Sequence, residues 1–185
     1  MFSALRFRLS PERRRFMREL ARPGLTRLKE RLGESGSQQA VKFVTILADA
    51  NADFMAYALS VSGPLAAYRS SVGPEKVQAC FDDLLIYAVN LFAREEFSGD
   101  SSELLALIAR ILRADAARVM VKRDQLRKAP RSEEWMLYTW LVKDLGGAPP
   151  AYDRELERGF GYQYVSYIGQ YRPLLERVLA HKEPR

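Results

Sequence analysis

The chain has 185 residues, of which 48% are hydrophobic and 28% charged, which fits a soluble domain with a real core and excludes a disordered, collagen-like or disulfide-scaffold chain. One Cys rules out an intramolecular disulfide, and one His, His181, removes most of the metal-site and acid/base repertoire. The formal charge of +6 is unevenly spread: Met1 to Arg31 holds ten Lys and Arg against three Glu, so this stretch carries +7 and the rest of the chain sums to −1.

The basic stretch comes first. Phe2, Leu5 and Leu9 alternate with arginines in the manner of a membrane-surface segment, while Glu12 and Glu19 argue against an acid-poor transit peptide and Arg6 and Arg8 interrupt any secretory core. Ser10 caps and Pro11 opens a helix expected to reach Arg22, where Pro23 and Gly24 stop it. Helical projection puts Phe16 and Leu20 on one side, ready to dock, and turns Arg14, Arg15, Arg18 and Arg22 outward. A short basic segment, Leu25 to Leu32, ends at Gly33 and Gly36.

A helix is expected from Ser37 to Ser62, closed by Gly63 and Pro64. Its polar residues Lys42, Thr45, Asp49, Asp53 and Ser60 form one narrow stripe, so the rest of its surface must meet neighbours. Pro74 opens the next helix, to about Phe97, with Val77, Cys80, Phe81, Leu84, Leu85, Ala88, Leu91 and Phe92 inward and Gln78, Asp82, Asn90 and Arg94 outward. These two helices read as central, and a charge at Phe54 or Leu84 is expected to unfold the chain.

A long helix capped near Asp100 runs to about Lys128, Pro130 breaks the chain, and Ser132 caps a helix from Glu133 to Leu145. Gly146 and Gly147 supply a left-handed stop, and Pro149 with Pro150 stiffens the loop that follows. The last helical stretch, Asp153 to about Lys182, is expected to be interrupted near Gly159, Gly161, Gly169 and Pro173. No run alternates as a half-buried strand would. The expected fold is all-α: a single-domain antiparallel bundle of six to eight helices, with a basic N-terminal helical arm over 1–36 and a body over 37–185.

Catalytic and metal constellations fail one by one. Asp49, Asn51 and Asp53 open like a calcium loop, but Phe54 stands where the turn needs Gly and Ser60 where the bidentate Glu belongs. Asp82 and Asp83 begin an aspartate-rich magnesium motif whose third carboxylate is replaced by Ile86. His181 is too isolated to build a zinc, di-iron or haem site, and no metal is expected. Gly159 and Gly161 lack a third Gly and a preceding strand, and the Gly146 to Ala151 junction is too long for a helix-turn-helix. Cys80 lies in an apolar helical face far from His181 and reads as a buried, inert thiol. Cys80, Asp83 and Tyr87 fall at a spacing similar to the bilin-attachment helix of phycobiliproteins. The resemblance spans eight residues and departs from the family at Asp82, where the family carries Arg, so no cofactor is expected.

What remains is basic and aromatic. Arg110, Arg113, Arg127 and Lys128 share a helical sector of about 100°, which suits a solvated face or a binding stripe. Phe160, Tyr164, Tyr167 and Tyr171 line one face of the final helix, either as core or as the rim of a pocket or partner groove. The expected function is non-enzymatic: a helical interaction or adaptor protein of the cytoplasm that docks on an anionic partner or assembly through Arg13, Arg14, Arg15, Arg18 and Arg22, helped by the second basic cluster. A protein partner leads. Nucleic acid held by its phosphates, an apolar ligand carried between helices, and peripheral membrane contact are the alternatives, and no transmembrane segment is expected.

Overall fold

A computed structural model describes residues 11–16, 19, 38–95 and 116–180, and among these residues the protein is all-helical, with seven α-helices and no strand. In chain order they are α1 (Pro11–Phe16), α2 (Gln38–Ala58), α3 (Pro74–Glu95), α4 (Ala116–Arg127), α5 (Glu133–Asp144), α6 (Arg154–Gly169) and α7 (Arg172–Ala180), with a 3₁₀ turn at Ala66–Ser71.

Helix α2 lies at the centre because it is apolar on almost every side: Phe43, Val44, Leu47, Phe54 and Met55 are all buried, and α1, α3, α6 and α7 pack around it. Phe54 is the focus of its packing, with edge-on ring contacts to Tyr164 at 4.9 Å and to Phe160 at 5.5 Å. Helix α3 is buried from Leu84 through Val89 and lies against α2, α4 and α5, while α5 also meets α4 and α6. Phe16 is buried in the same core and Arg15 is exposed, paired with Glu19 at 3.0 Å.

The structure corrects two boundaries. Helix α2 stops at Ala58, four residues before the expected Ser62, because the chain turns back and the Leu65 N–H donates to the Ala58 carbonyl at 2.8 Å. A Cβ on Gly63 would sit 2.1 Å from the Tyr57 carbonyl oxygen, so this return needs glycine. Helix α6 runs without interruption through Gly159 and Gly161, and the break falls at Gln170 and Tyr171. Of the long helix expected after Asp100, Ala116–Arg127 is described and the earlier part lies outside the described residues.

Both ends of α5 follow the expected chemistry. Ser132 caps α5 by accepting from the Trp135 N–H at 3.1 Å, and Gly146 adopts φ +84° just past its C-terminus. Lys76 completes that end from α3, its ammonium donating to the Leu145 carbonyl at 3.0 Å. No helix among the described residues is long and apolar enough to cross a membrane.

Candidate functional site

The N-terminal ends of α5 and α6 lie side by side and enclose an open cleft of about 930 Å³. Along α6, Arg154, Arg158, Gly161, Tyr162 and Val165 follow one helical stripe and form its wall, while Pro130, Arg131, Ser132 and Glu134 come from the start of α5 and the preceding loop. Gly161 sets the spacing. A Cβ there would lie 2.9 Å from Glu134 Cγ, so its hydrogen lets the two helices approach.

Glu157 fixes the shape of the cleft floor. It accepts one hydrogen bond from the Ser132 hydroxyl and a second from Tyr152 Oη at 2.7 Å, tying the cap of α5 to α6 and to the loop between them. Those two bonds, with Arg131 and Arg154 nearby, hold the Glu157 carboxyl below its ordinary value, so it stays charged at neutral pH. The Arg131 guanidinium lies 4.5 Å from the Tyr152 ring centroid, and Trp135 meets the same tyrosine edge-on at 5.2 Å. Glu134 is also occupied, accepting from Tyr87 Oη at 3.0 Å. By contrast, Arg131, Arg154 and Arg158 make no ion pair with a carboxylate among the described residues. The rim is apolar as well as cationic: Tyr162 is 78% exposed and Val165 49%.

A second group of charges lies inside. Lys122 of α4 pairs with Asp83 of α3, which is only 2% exposed, and its ammonium stands 4.9 Å from the Trp140 ring centroid. Asp144, at the end of α5, lies within hydrogen-bonding reach of Asp83, and one oxygen of each carboxylate is buried without a donor. Burial first, and then the charge of Asp83, push the Asp144 carboxyl up to about 7 against the pull of Lys122. A proton held by Asp144 is the simplest way to satisfy such a contact near neutral pH. Cys80, one turn before Asp83, is buried with Sγ 3.9 Å from the Leu141 carbonyl, and burial pushes its thiol up, so it is held neutral.

The expected residues divide cleanly. Phe160, Tyr164 and Tyr167 are buried and Tyr171 half-buried, so this aromatic face packs into the core: Phe160, Tyr164 and Tyr167 meet Phe54 or Tyr57 of α2. Two residues of the polar stripe expected around α2 are covered as well. Asp53 is buried and accepts from the Tyr171 hydroxyl, and Ser60 is buried beyond it. Asn51 accepts from Tyr164 Oη at 2.9 Å, an interhelical polar contact. Arg13 and Arg14 fall in α1, Arg15 is exposed there, and Arg127 and Lys128 are exposed at the end of α4, a few residues before Pro130 and Arg131 of the cleft. Arg18, Arg22, Arg110 and Arg113 lie outside the described residues.

The cleft and the buried charges both escape a linear reading, although each leaves a trace. Arg154, Arg158 and Tyr162 recur at steps of four. Asp83 shares a stripe with Cys80 and Tyr87, Lys122 with Val119 and Leu126, and Asp144 with Leu137 and Leu141. A single charge in the apolar stripe of each of three helices is the signature of pairing across them. The chain was compared with protein-family models, curated proteins and solved structures, and none matches.

Proposed function

We propose that the protein is a non-enzymatic helical interaction protein, an antiparallel bundle that recognises an anionic partner through a cluster of exposed cationic side chains. The observation that carries this reading is the set Arg131, Arg154 and Arg158 around the cleft, with Arg127 and Lys128 exposed beside it. Arginines gathered on one surface repel one another by a few tenths of a kcal/mol per neighbouring pair. The same cluster becomes favourable when carboxylate or phosphate groups meet its planar donors. The basic arm over 1–36 adds a second cationic element to the proposal, Phe16 anchoring its first helix on α2 while Arg15 faces outward. In this proposal the protein works in the cytoplasm, in keeping with its single reduced, buried Cys80.

The test is affinity capture with the full chain, its Arg14, Arg15, Arg18 and Arg22→Gln variant, and its Arg131, Arg154 and Arg158→Gln variant, eluted with rising salt. Substitutions at the exposed Arg15, Arg131, Arg154 and Arg158 leave folding within about 1 kcal/mol of the parent. Partners that bind the parent should elute from at least one variant at lower salt. Unchanged capture by both variants refutes the reading.

A further inference from the structure

We infer that the occupant of the α5/α6 cleft is an acidic protein segment carrying an apolar side chain, its carboxylates meeting Arg154 and Arg158 and its apolar group resting on Tyr162 and Val165. This rests on the anionic-partner reading above and names the partner class.

Three observations select a peptide. The first is the mixed character of the wall: on α6, Arg154 and Arg158 occupy the first two turns and Tyr162 and Val165 the next two, so charge and apolar surface succeed one another along a single stripe about 16 Å long at 1.5 Å per residue. An amphipathic segment matches that order. The second is the floor. Glu157 is held charged by Ser132 and Tyr152, and Glu134 lies opposite Gly161. A nucleic acid strand brings a negative charge every 3.4 Å or so and would set phosphates against these two carboxylates. A peptide can direct its acidic side chains to the arginines and its backbone N–H groups to the floor. The third is the state of the aromatic rings. Base stacking needs an open ring face, and the Tyr152 ring already has Arg131 over it and Trp135 at its edge. Tyr162 is the exposed ring of the α6 stripe and Tyr152, 40% exposed, has one face taken by Arg131, which is enough for an apolar contact and too little for a run of bases.

The cleft is also ready-made. Arg131 is held over Tyr152, and Tyr152 in turn is fixed by Glu157, so this guanidinium enters the complex with part of its freedom already lost. Its volume, about 930 Å³, is at the upper end of small-ligand sites. Its exposed rim suits a chain that continues past both ends.

The experiment is panning of a random dodecapeptide display library on the immobilised full chain, followed by fluorescence anisotropy of the enriched peptides and of a single-stranded RNA dodecamer. The expected result is enrichment of net-negative sequences that contain Leu, Ile, Phe or Met. Their affinity should fall at least about tenfold in Arg154→Gln/Arg158→Gln and about fivefold in Tyr162→Ser/Val165→Ser, with the RNA bound more weakly than the peptides. All four positions are exposed or lie on the cleft wall, and circular dichroism melting verifies that the variants fold. Enrichment without acidic bias, RNA binding as tight as the peptides and equally sensitive to Arg154 and Arg158, or acidic peptides indifferent to Tyr162 and Val165 would each overturn the inference. Failure of the broader reading looks different: there, salt-sensitive capture is unaffected by the arginine variants whatever the library yields.

Discussion

Asp144→Asn removes a titrating carboxyl from the buried contact with Asp83 and Lys122 while keeping the side chain's shape. In the folded protein the Asp144 carboxyl stands at about 7, against 3.8 for an unperturbed aspartate. Between those values the folded chain holds a proton that the unfolded chain has released, so the contribution of Asp144 to stability is present below about pH 4 and is lost as the pH rises through 7. At roughly 1.4 kcal/mol per pKa unit the ceiling is about 4 kcal/mol. Asp144 is only partly buried, and solvent screening reduces the expected change to about 1–2 kcal/mol. The groups that set it are Asp83 and Asp82 from α3 and Lys122 from α4. Urea melts of the parent and of Asp144→Asn at steps from about pH 4.5 to 8 isolate the effect: the stability of the parent relative to the variant should fall by that amount across the range. A difference between the two that stays constant with pH, or that grows toward high pH, refutes the proton on Asp144. Lys122→Met removes the cation that partly offsets the two carboxylates and should cost about 3 kcal/mol or more at pH 8, and less in acid.

Two glycines of α6 predict opposite outcomes: Gly159→Ala, where a Cβ meets nothing within 4 Å, should stabilise by about 0.5–1 kcal/mol through helix propensity. Gly161→Ala should instead destabilise by about 1–2 kcal/mol, because its Cβ displaces Glu134 from Tyr87, and denaturant midpoints distinguish the two. Tyr164→Phe deletes the hydroxyl that Asn51 accepts inside the core and should cost about 1–3 kcal/mol, whereas Tyr171→Phe, at a half-buried ring, should cost less; thermal melts read both.

The sequence by itself determined the helical class, most of the stops and the inward faces. Helix periodicity, Ser132 as a cap and Gly146 beyond the end are local properties that act within a few residues, and they hold in the folded chain. The inert state of Cys80 follows from its apolar stripe in the same way. Local rules fail where a neighbour arrives from far along the chain. Asp53 belongs to a polar stripe on α2, yet it is covered because Tyr171, 118 residues later, packs over it and supplies a hydroxyl. Asp83, Lys122 and Asp144 come from three helices and become one electrostatic unit only when α3, α4 and α5 meet, since the cost of burying each charge is offset by the others and by nothing local. The cleft arises likewise. Arg131 and Arg158 are surface residues of no note until Gly161 lets α5 and α6 close to contact, and it is this approach, set by the absence of one Cβ, that brings their charges and the apolar rim onto a single surface.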